Sequence, residues 1–214
     1  MNGGGERGRF IAFEGGEASG KSTQARLLAA RIGAVLTREP GATETGRRIR
    51  DLVLDPATEL HPRTEALLLL ADRAQHVHEV VAPALARGAD VVTDRFSGST
   101  LAYQGYGRGL DLADLSGLSR WATGAVEPDL IVLLDVPGKV ARDRQEGRPL
   151  DRMEGTGDPF HERVREGYLA LAAADPDRWV VVDGSGPEDE VAAEVWAAVS
   201  ARAELRHPPP GVAS

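Results

Sequence analysis

The chain of 214 residues contains no cysteine, which excludes disulfides, thiolate metal sites and cysteine nucleophiles. It has a single asparagine, Asn2, and all but two of its 25 basic residues are arginines. The two lysines are Lys21 and Lys139, so a lysine at position 21 is not a draw from a lysine-rich background. No apolar run approaches the ~20 residues that a membrane-crossing helix needs. Residues 1–9 are polar and glycine-rich, without the apolar centre of a signal peptide, and cytoplasmic residence is the expectation. A formal net charge of −8 leaves no basic excess for a general nucleic-acid binder. No nucleic-acid or membrane partner is expected. The length suits one substantial core and is short for two independent domains.

What is present is alternation. Short apolar runs separated by helical patterns mark a parallel α/β sheet. Strands are predicted at 9–14, 34–37, 90–94, 129–135 and 179–183. The run at 129–135 is apolar throughout its middle, as expected when both faces of a strand are covered. A helix begins at Gly20, with Ala25, Leu28, Ala29 and Ile32 on one face and Gly33 to close it. Further helices are predicted at 46–54, 62–87 (bent near Pro83), 112–125, 140–145, 160–174 and 187–203. A polar, arginine-bearing segment at about 146–158 is assigned as a lid. Residues 1–8 are expected to be a flexible N-terminus and 9–203 a single domain. Residues 204–214, with three consecutive prolines, are expected to form a disordered tail.

The segment Gly15-Gly16-Glu17-Ala18-Ser19-Gly20-Lys21-Ser22 fits the phosphate-loop pattern G-x-x-x-x-G-K-[ST] at every fixed position. It follows a predicted strand and opens a predicted helix, the context that the pattern requires. Glycines let the backbone close around a phosphate, and the amides and helix N-terminus meet it with partial positive charge. These eight residues and Thr23 are the candidate ATP site. Lys21 would reach the β- and γ-phosphates, and Ser22 would coordinate Mg²⁺. The fold class expected is α/β, a three-layer P-loop NTPase fold, its five-stranded parallel sheet flanked by helices and an arginine-bearing lid. The loop alone leaves GTPases, ATPases and small-molecule kinases open. With Asn2 the only asparagine, the N-K-x-D element of common GTPases is absent. The third strand ends in Asp94-Arg95-Phe96 in place of the acidic pair usual in large ATPases.

Four further motifs occur in order. They are Thr37-Arg38-Glu39-Pro40-Gly41, Ala71-Asp72-Arg73-Ala74-Gln75, Asp94-Arg95-Phe96 followed by Ser99-Thr100-Leu101-Ala102-Tyr103-Gln104-Gly105, and Leu150-Asp151-Arg152. In these the chain resembles the bacterial thymidylate kinases, P-loop nucleoside-monophosphate kinases, over about residues 9–185. The resemblance implies phosphorylation of dTMP to dTDP with ATP and Mg²⁺, in dTTP biosynthesis, by a homodimer. Another nucleoside-monophosphate or deoxynucleoside kinase, or a P-loop protein that binds ATP without transferring it, is the alternative.

The resemblance also implies roles. Arg73 and Arg95 would hold the dTMP phosphate with Arg38 nearby, a task that planar guanidinium forks suit. Local pairing, Arg38 with Glu39 or Arg73 with Asp72, is the plainer reading. Asp94 would orient Mg²⁺ or Arg95, unless it only caps a helix. Glu17 would lie near the sugar 3′-hydroxyl. Thr100, Tyr103, Gln104 and Tyr168 would face the nucleoside, although a tyrosine in such a place also serves as core. Leu69 stands where many relatives place an aromatic ring against thymine, and Ala42 replaces a glycine of the usual motif. The interior of the phosphate loop carries no arginine, so the chain resembles the lid-arginine type. Arg144, Arg148 and Arg152 are spaced four apart and would share one side of a helical lid, beside Arg142. Arg148 and Arg152 are the catalytic candidates there, with Lys21, Asp94 and Arg95 elsewhere. The five histidines show no metal-ligand spacing.

Overall fold

The computed structural model describes residues 7–147 and 149–206. Among them, one sheet is built from five parallel strands: β1 (Phe10–Gly15), β2 (Val35–Arg38), β3 (Val91–Asp94), β4 (Leu130–Asp135) and β5 (Trp179–Asp183). Each begins and ends within about a residue of its predicted span. The spatial order is β2–β3–β1–β4–β5. The chain leaves β1 for one side of the sheet and later adds β4 and β5 on the other, so β1 stands at the reversal, where open α/β sheets bind ligands. Phe13 of β1 is level with Asp94 of β3, and the carboxyl ends of these strands finish side by side.

The helices are α1 (Lys21–Ile32), α2 (Glu44–Leu54), α3 (Pro62–His76), α4 (Ala82–Ala86), α5 (Ser97–Thr100), α6 (Leu112–Thr123), α7 (Gly138–Gln145), α8 (Asp158–Ala174) and α9 (Glu188–Arg206). Alternate β1 side chains point to opposite faces. Phe10 and Ala12 join one apolar cluster with Val81, Leu85, Phe96, Tyr103, Val164 and Tyr168. Ile11 and Phe13 join a second with Ala25 and Leu28 of α1 and Val191 and Val195 of α9. Burial on both faces is why the strands read as unbroken apolar runs.

Three elements differ from the sequence patterning. The predicted helix 62–87 widens into a π-helical turn at Val77–Val81 between α3 and α4. Pro83 has no amide hydrogen for the carbonyl of Glu79, and the helix loosens in the turn before the proline. Helix α2 starts earlier than predicted because Thr43 caps it, its Oγ1 accepting from the Gly46 amide at 2.9 Å. Residues 97–107 carry no predicted element, yet they form α5 and a π-helical turn, Leu101–Gly107. Gly98, Gly105 and Gly107 weaken the helical signal there. Gly98 is a packing requirement, since a Cβ would sit 2.8 Å from both Glu14 Oε1 and the Trp179 ring.

At the ends, Arg7 pairs with Asp129 at 3.1 Å and the Gly8 amide donates to Leu85 O at 3.0 Å, so the last part of the expected flexible N-terminus is tied down. Helix α9 continues through 204–206, the first residues of the expected tail. The rest of both expectations, 1–6 and 207–214, lies outside the described residues.

Candidate active site

Strand β1 feeds the phosphate loop at Gly15, and α1 takes the chain up at Lys21. Gly20 caps α1 at φ +90°, a backbone conformation that side chains disfavour. Lys21 is buried, and its Nζ donates to Gly16 O at 2.5 Å and to Ser19 Oγ at 3.2 Å. Burial and the Arg95 guanidinium bring its pKa down to about 8, against the pull of Glu17, Asp94 and Glu14. The Ser22 hydroxyl donates to Asp94 Oδ2, and Asp94 Oδ1 is buried without a partner among the described residues. Thus Asp94 faces the loop and caps no helix. A cavity of about 870 Å³ opens over Ser19 through Thr23, with Arg26, Arg38, Arg47, Arg50, Arg95 and Arg144 along its walls. Six guanidiniums and Lys21 outnumber the carboxylates of Glu17, Glu39, Asp94 and Glu154 along this cavity, a net positive lining in a chain of net charge −8 that suits an anion.

Arg95 holds the centre. Its backbone is left-handed at φ +71°, strain that persists because Arg95 N donates to Phe13 O at 2.9 Å and the side chain is held at several points. Its NH1 donates to Gly15 O (3.1 Å), Ser99 Oγ (3.1 Å) and Tyr168 Oη (3.2 Å). Its NH2 donates to Glu17 Oε1 (2.7 Å) and Tyr103 Oη (3.2 Å). Glu17 also accepts from Tyr103 Oη at 2.6 Å. Burial works against the charge of Glu17, but Arg95 and Lys21 outweigh it and hold its pKa at about 2. An acidic residue inside a phosphate loop is tolerated because two cations neutralise it. Behind Arg95 lies Glu14, wholly buried, which accepts from the Ser99 hydroxyl at 2.6 Å, from the Phe96 and Ser99 amides at 3.0 Å and from Tyr168 Oη at 3.1 Å. Tyr168 therefore stands in the layer behind Arg95.

A second, smaller cavity of about 110 Å³ adjoins the first. Leu69, Arg73, Ser99, Thr100, Tyr103 and Gln104 line it, and Glu17, Glu39, Arg50 and Arg95 line both. Arg73 sits deeper than Arg95, 3% exposed. Its Nε donates to Glu39 Oε2 at 2.8 Å, its NH1 to Thr100 Oγ1 at 2.9 Å, and its NH2 to Phe96 O at 2.9 Å. Arg73 is therefore paired, but with the distant Glu39, and the local pairing with Asp72 is not formed. Asp72 instead accepts from the Gly41 amide at 2.9 Å, and burial together with Glu39 raises its pKa to about 6. Arg38, at the end of β2, is exposed beside the larger cavity.

The lid departs from expectation. Helix α7 ends at Gln145, Gly147 turns the chain at φ +80°, and only a 3₁₀ turn, Glu154–Thr156, follows before α8. Four-residue spacing therefore does not align the lid arginines. Arg144 reaches the phosphate loop, donating to Ala18 O at 3.2 Å and across to Gly184 O at 2.8 Å. Arg142 pairs with Asp158 at 3.1 Å. Arg152 is not brought to the loop: its Nε donates to Val53 O at 2.7 Å and its NH1 pairs with Glu65 at 2.8 Å. Arg148 lies outside the described residues.

Several participants escape the sequence reading. Glu14 had a signal, an acidic residue closing an apolar strand just before a glycine loop. Glu39 entered only as a motif letter and as a neighbour for Arg38, and not as the partner of Arg73. His76, fully buried, links Glu39 Oε1 (2.8 Å) to Thr37 Oγ1 (2.7 Å), a contact between distant elements that no spacing reveals.

The family profile described as "Thymidylate kinase" matches residues 13–195. A thymidylate kinase of Deinococcus radiodurans is 50% identical over 203 residues, covering 92% of this chain and 98% of that protein. One of Clavibacter sepedonicus is 48% identical, covering 88% and 92%. The crystal structure of thymidylate kinase from Ehrlichia chaffeensis superposes with a TM-score of 0.76 at 32% identity, covering 91% of this chain and 99% of that one.

Proposed function

The chain belongs to the thymidylate kinase family, and from that premise we propose how its own residues carry the transfer from ATP to dTMP. The observation that carries the reading is the meeting of the two cavities at Arg95, Glu17 and Arg50. ATP phosphates occupy the loop cavity and dTMP the smaller one, with the acceptor phosphate at Arg95 and Arg38 nearby. A phosphate oxygen of dTMP bonds to the γ-phosphorus as the bond to the β,γ-bridging oxygen breaks, and the electron pair leaves with ADP. The acceptor is already anionic, so no strong general base is required. Positioning and charge neutralisation carry the rate.

Lys21 spans the β- and γ-phosphates. Ser22 and the partnerless Oδ1 of Asp94 are hard oxygen donors of the kind Mg²⁺ takes alongside phosphates, and these two residues would hold it. When bound, Mg²⁺ offsets negative charge on the phosphates. At the other end Leu69 packs on the base, with Arg73, Thr100 and Gln104 around its edge. The depth and partners of Arg73 favour that end over the phosphate. Glu17 and Tyr103 flank the sugar, and Tyr168 steadies Arg95. Arg144 supplies charge beside the loop, and Arg148 adds more as the lid closes. Arg152 would have to leave Glu65 to join them and serves as the tether of the lid. The exposed apolar residues Leu67 on α3 and Leu118 and Trp121 on α6 support a homodimer through this face. A cytoplasmic location, where ATP and dTMP are available, completes the reading.

The test is ADP release from ATP and Mg²⁺ with dTMP, dUMP, dCMP, AMP or thymidine as acceptor. A strong preference for dTMP is expected. Preference for another acceptor would discard the pocket assignment, and release independent of any acceptor would discard the transfer itself.

A further inference from the structure

Gln104 is almost wholly buried and lines the smaller cavity, and its Nε2 donates to Glu65 Oε1 at 2.8 Å. The two ends of a side-chain amide are told apart by their partners. Here the partner is decisive. Glu65, wholly buried on α3, also accepts from Arg108 (Nε at 3.3 Å, NH2 at 3.1 Å) and pairs with Arg152 NH1 at 2.8 Å. Burial opposes its charge, but Gln104 and the two arginines outweigh that and hold its pKa below the ordinary glutamate value. An ionised carboxylate can only accept, so it takes the NH₂ end and prevents the amide from turning round. Gln104 Oε1 is left buried with no partner among the described residues, an acceptor that needs a donor.

Resting on the assignment of this cavity to dTMP, we propose that Glu65 is a specificity-positioning residue, which locks the Gln104 amide so that its oxygen meets the base edge. That oxygen selects bases whose ring edge donates an N–H, as the imide of thymine and uracil does. Cytosine is refused because its ring N3 is itself an acceptor, and two acceptors facing each other leave both unpaired. The 5-methyl group plays no part in this discrimination, so dUMP should behave as dTMP does at this contact.

The test is Glu65→Gln, read as KM and kcat for dTMP, dUMP and dCMP. A neutral amide at 65 can give as well as accept, which frees Gln104 to turn. KM for dTMP and dUMP should rise about tenfold with kcat little changed, and the preference for dTMP over dCMP should fall about tenfold or more. Glu65→Asp keeps a charge for both arginines but withdraws it from Gln104 by one methylene. It should act in the same direction and serves if Glu65→Gln does not fold. In a Gln104→Met background neither substitution should change the preference further. Equal losses for dTMP and dCMP, or a further change in preference in that background, would overturn the proposal by making Glu65 a structural residue only. Failure of the unmodified enzyme to phosphorylate dTMP in the same assay would instead count against the cavity assignment beneath it.

Discussion

Lys21 is a cation held in a site that resists its charge. Its pKa of about 8 in the folded chain lies below the ordinary lysine value of 10.5, so the folded state binds fewer protons between these limits. The destabilisation it causes is fully present below pH 8 and is relieved as pH rises toward 10.5. ATP phosphates restore the charge, so ATP binding near pH 8.5 should take up protons. Calorimetry in two buffers of different ionisation enthalpy reads that uptake as a difference between the observed heats, and equal observed heats in the two buffers would refute it. Lys21→Ala should lower kcat by about 10²–10³-fold without lowering the melting temperature below pH 8, because it removes a charge held against burial. Arg95→Lys keeps a charge but loses the fork that joins Gly15, Ser99 and Glu17. It should raise KM for dTMP and lower kcat, each at least about tenfold. An unchanged KM in steady-state kinetics would remove Arg95 from the acceptor phosphate.

Elements were legible in the sequence to the extent that they bury one regular pattern. All five strands show because each is a short apolar run between helices, and the phosphate loop shows because its chemistry permits few residues. The turn at 97–107 stayed hidden because close contacts with Glu14, Leu112 and Phe160 demand glycines, which erase helical periodicity. The lid arginines do not align as their spacing predicts because spacing becomes alignment only in a helix, and α7 ends at Gln145 before the turn at Gly147. The Arg73–Glu39–His76–Thr37 network joins β2, its following loop and α3, and such contacts arise only once the sheet has formed. The segment proposed as the lid is anchored by Arg152, through Val53 O, Glu65 and its own amide to Leu54 O at 3.1 Å. Arg152→Ala should therefore loosen residues 149–157, seen as faster amide hydrogen exchange there than in α8. Unchanged exchange in that segment would show that Arg152 is not the tether.

At the scale of the whole molecule, an acidic chain gathers six arginines over one loop, and the sheet reversal at β1 determines where they converge. Leu67 on α3 and Leu118 and Trp121 on α6, with Trp121 82% exposed, are the residues proposed above to receive a second copy. Trp121→Glu should shift the protein to monomer in sedimentation velocity, and a persistent dimer would move the interface elsewhere. The central claim is that donor and acceptor cavities meet at Arg95. The most direct test is calorimetric binding of adenosine and thymidine joined 5′ to 5′ through five phosphates. One linked molecule per chain should bind, displacing both ATP and dTMP, and Lys21→Ala or Arg95→Lys should weaken it at least about tenfold. Displacement of ATP with dTMP still bound would contradict the meeting of the two cavities.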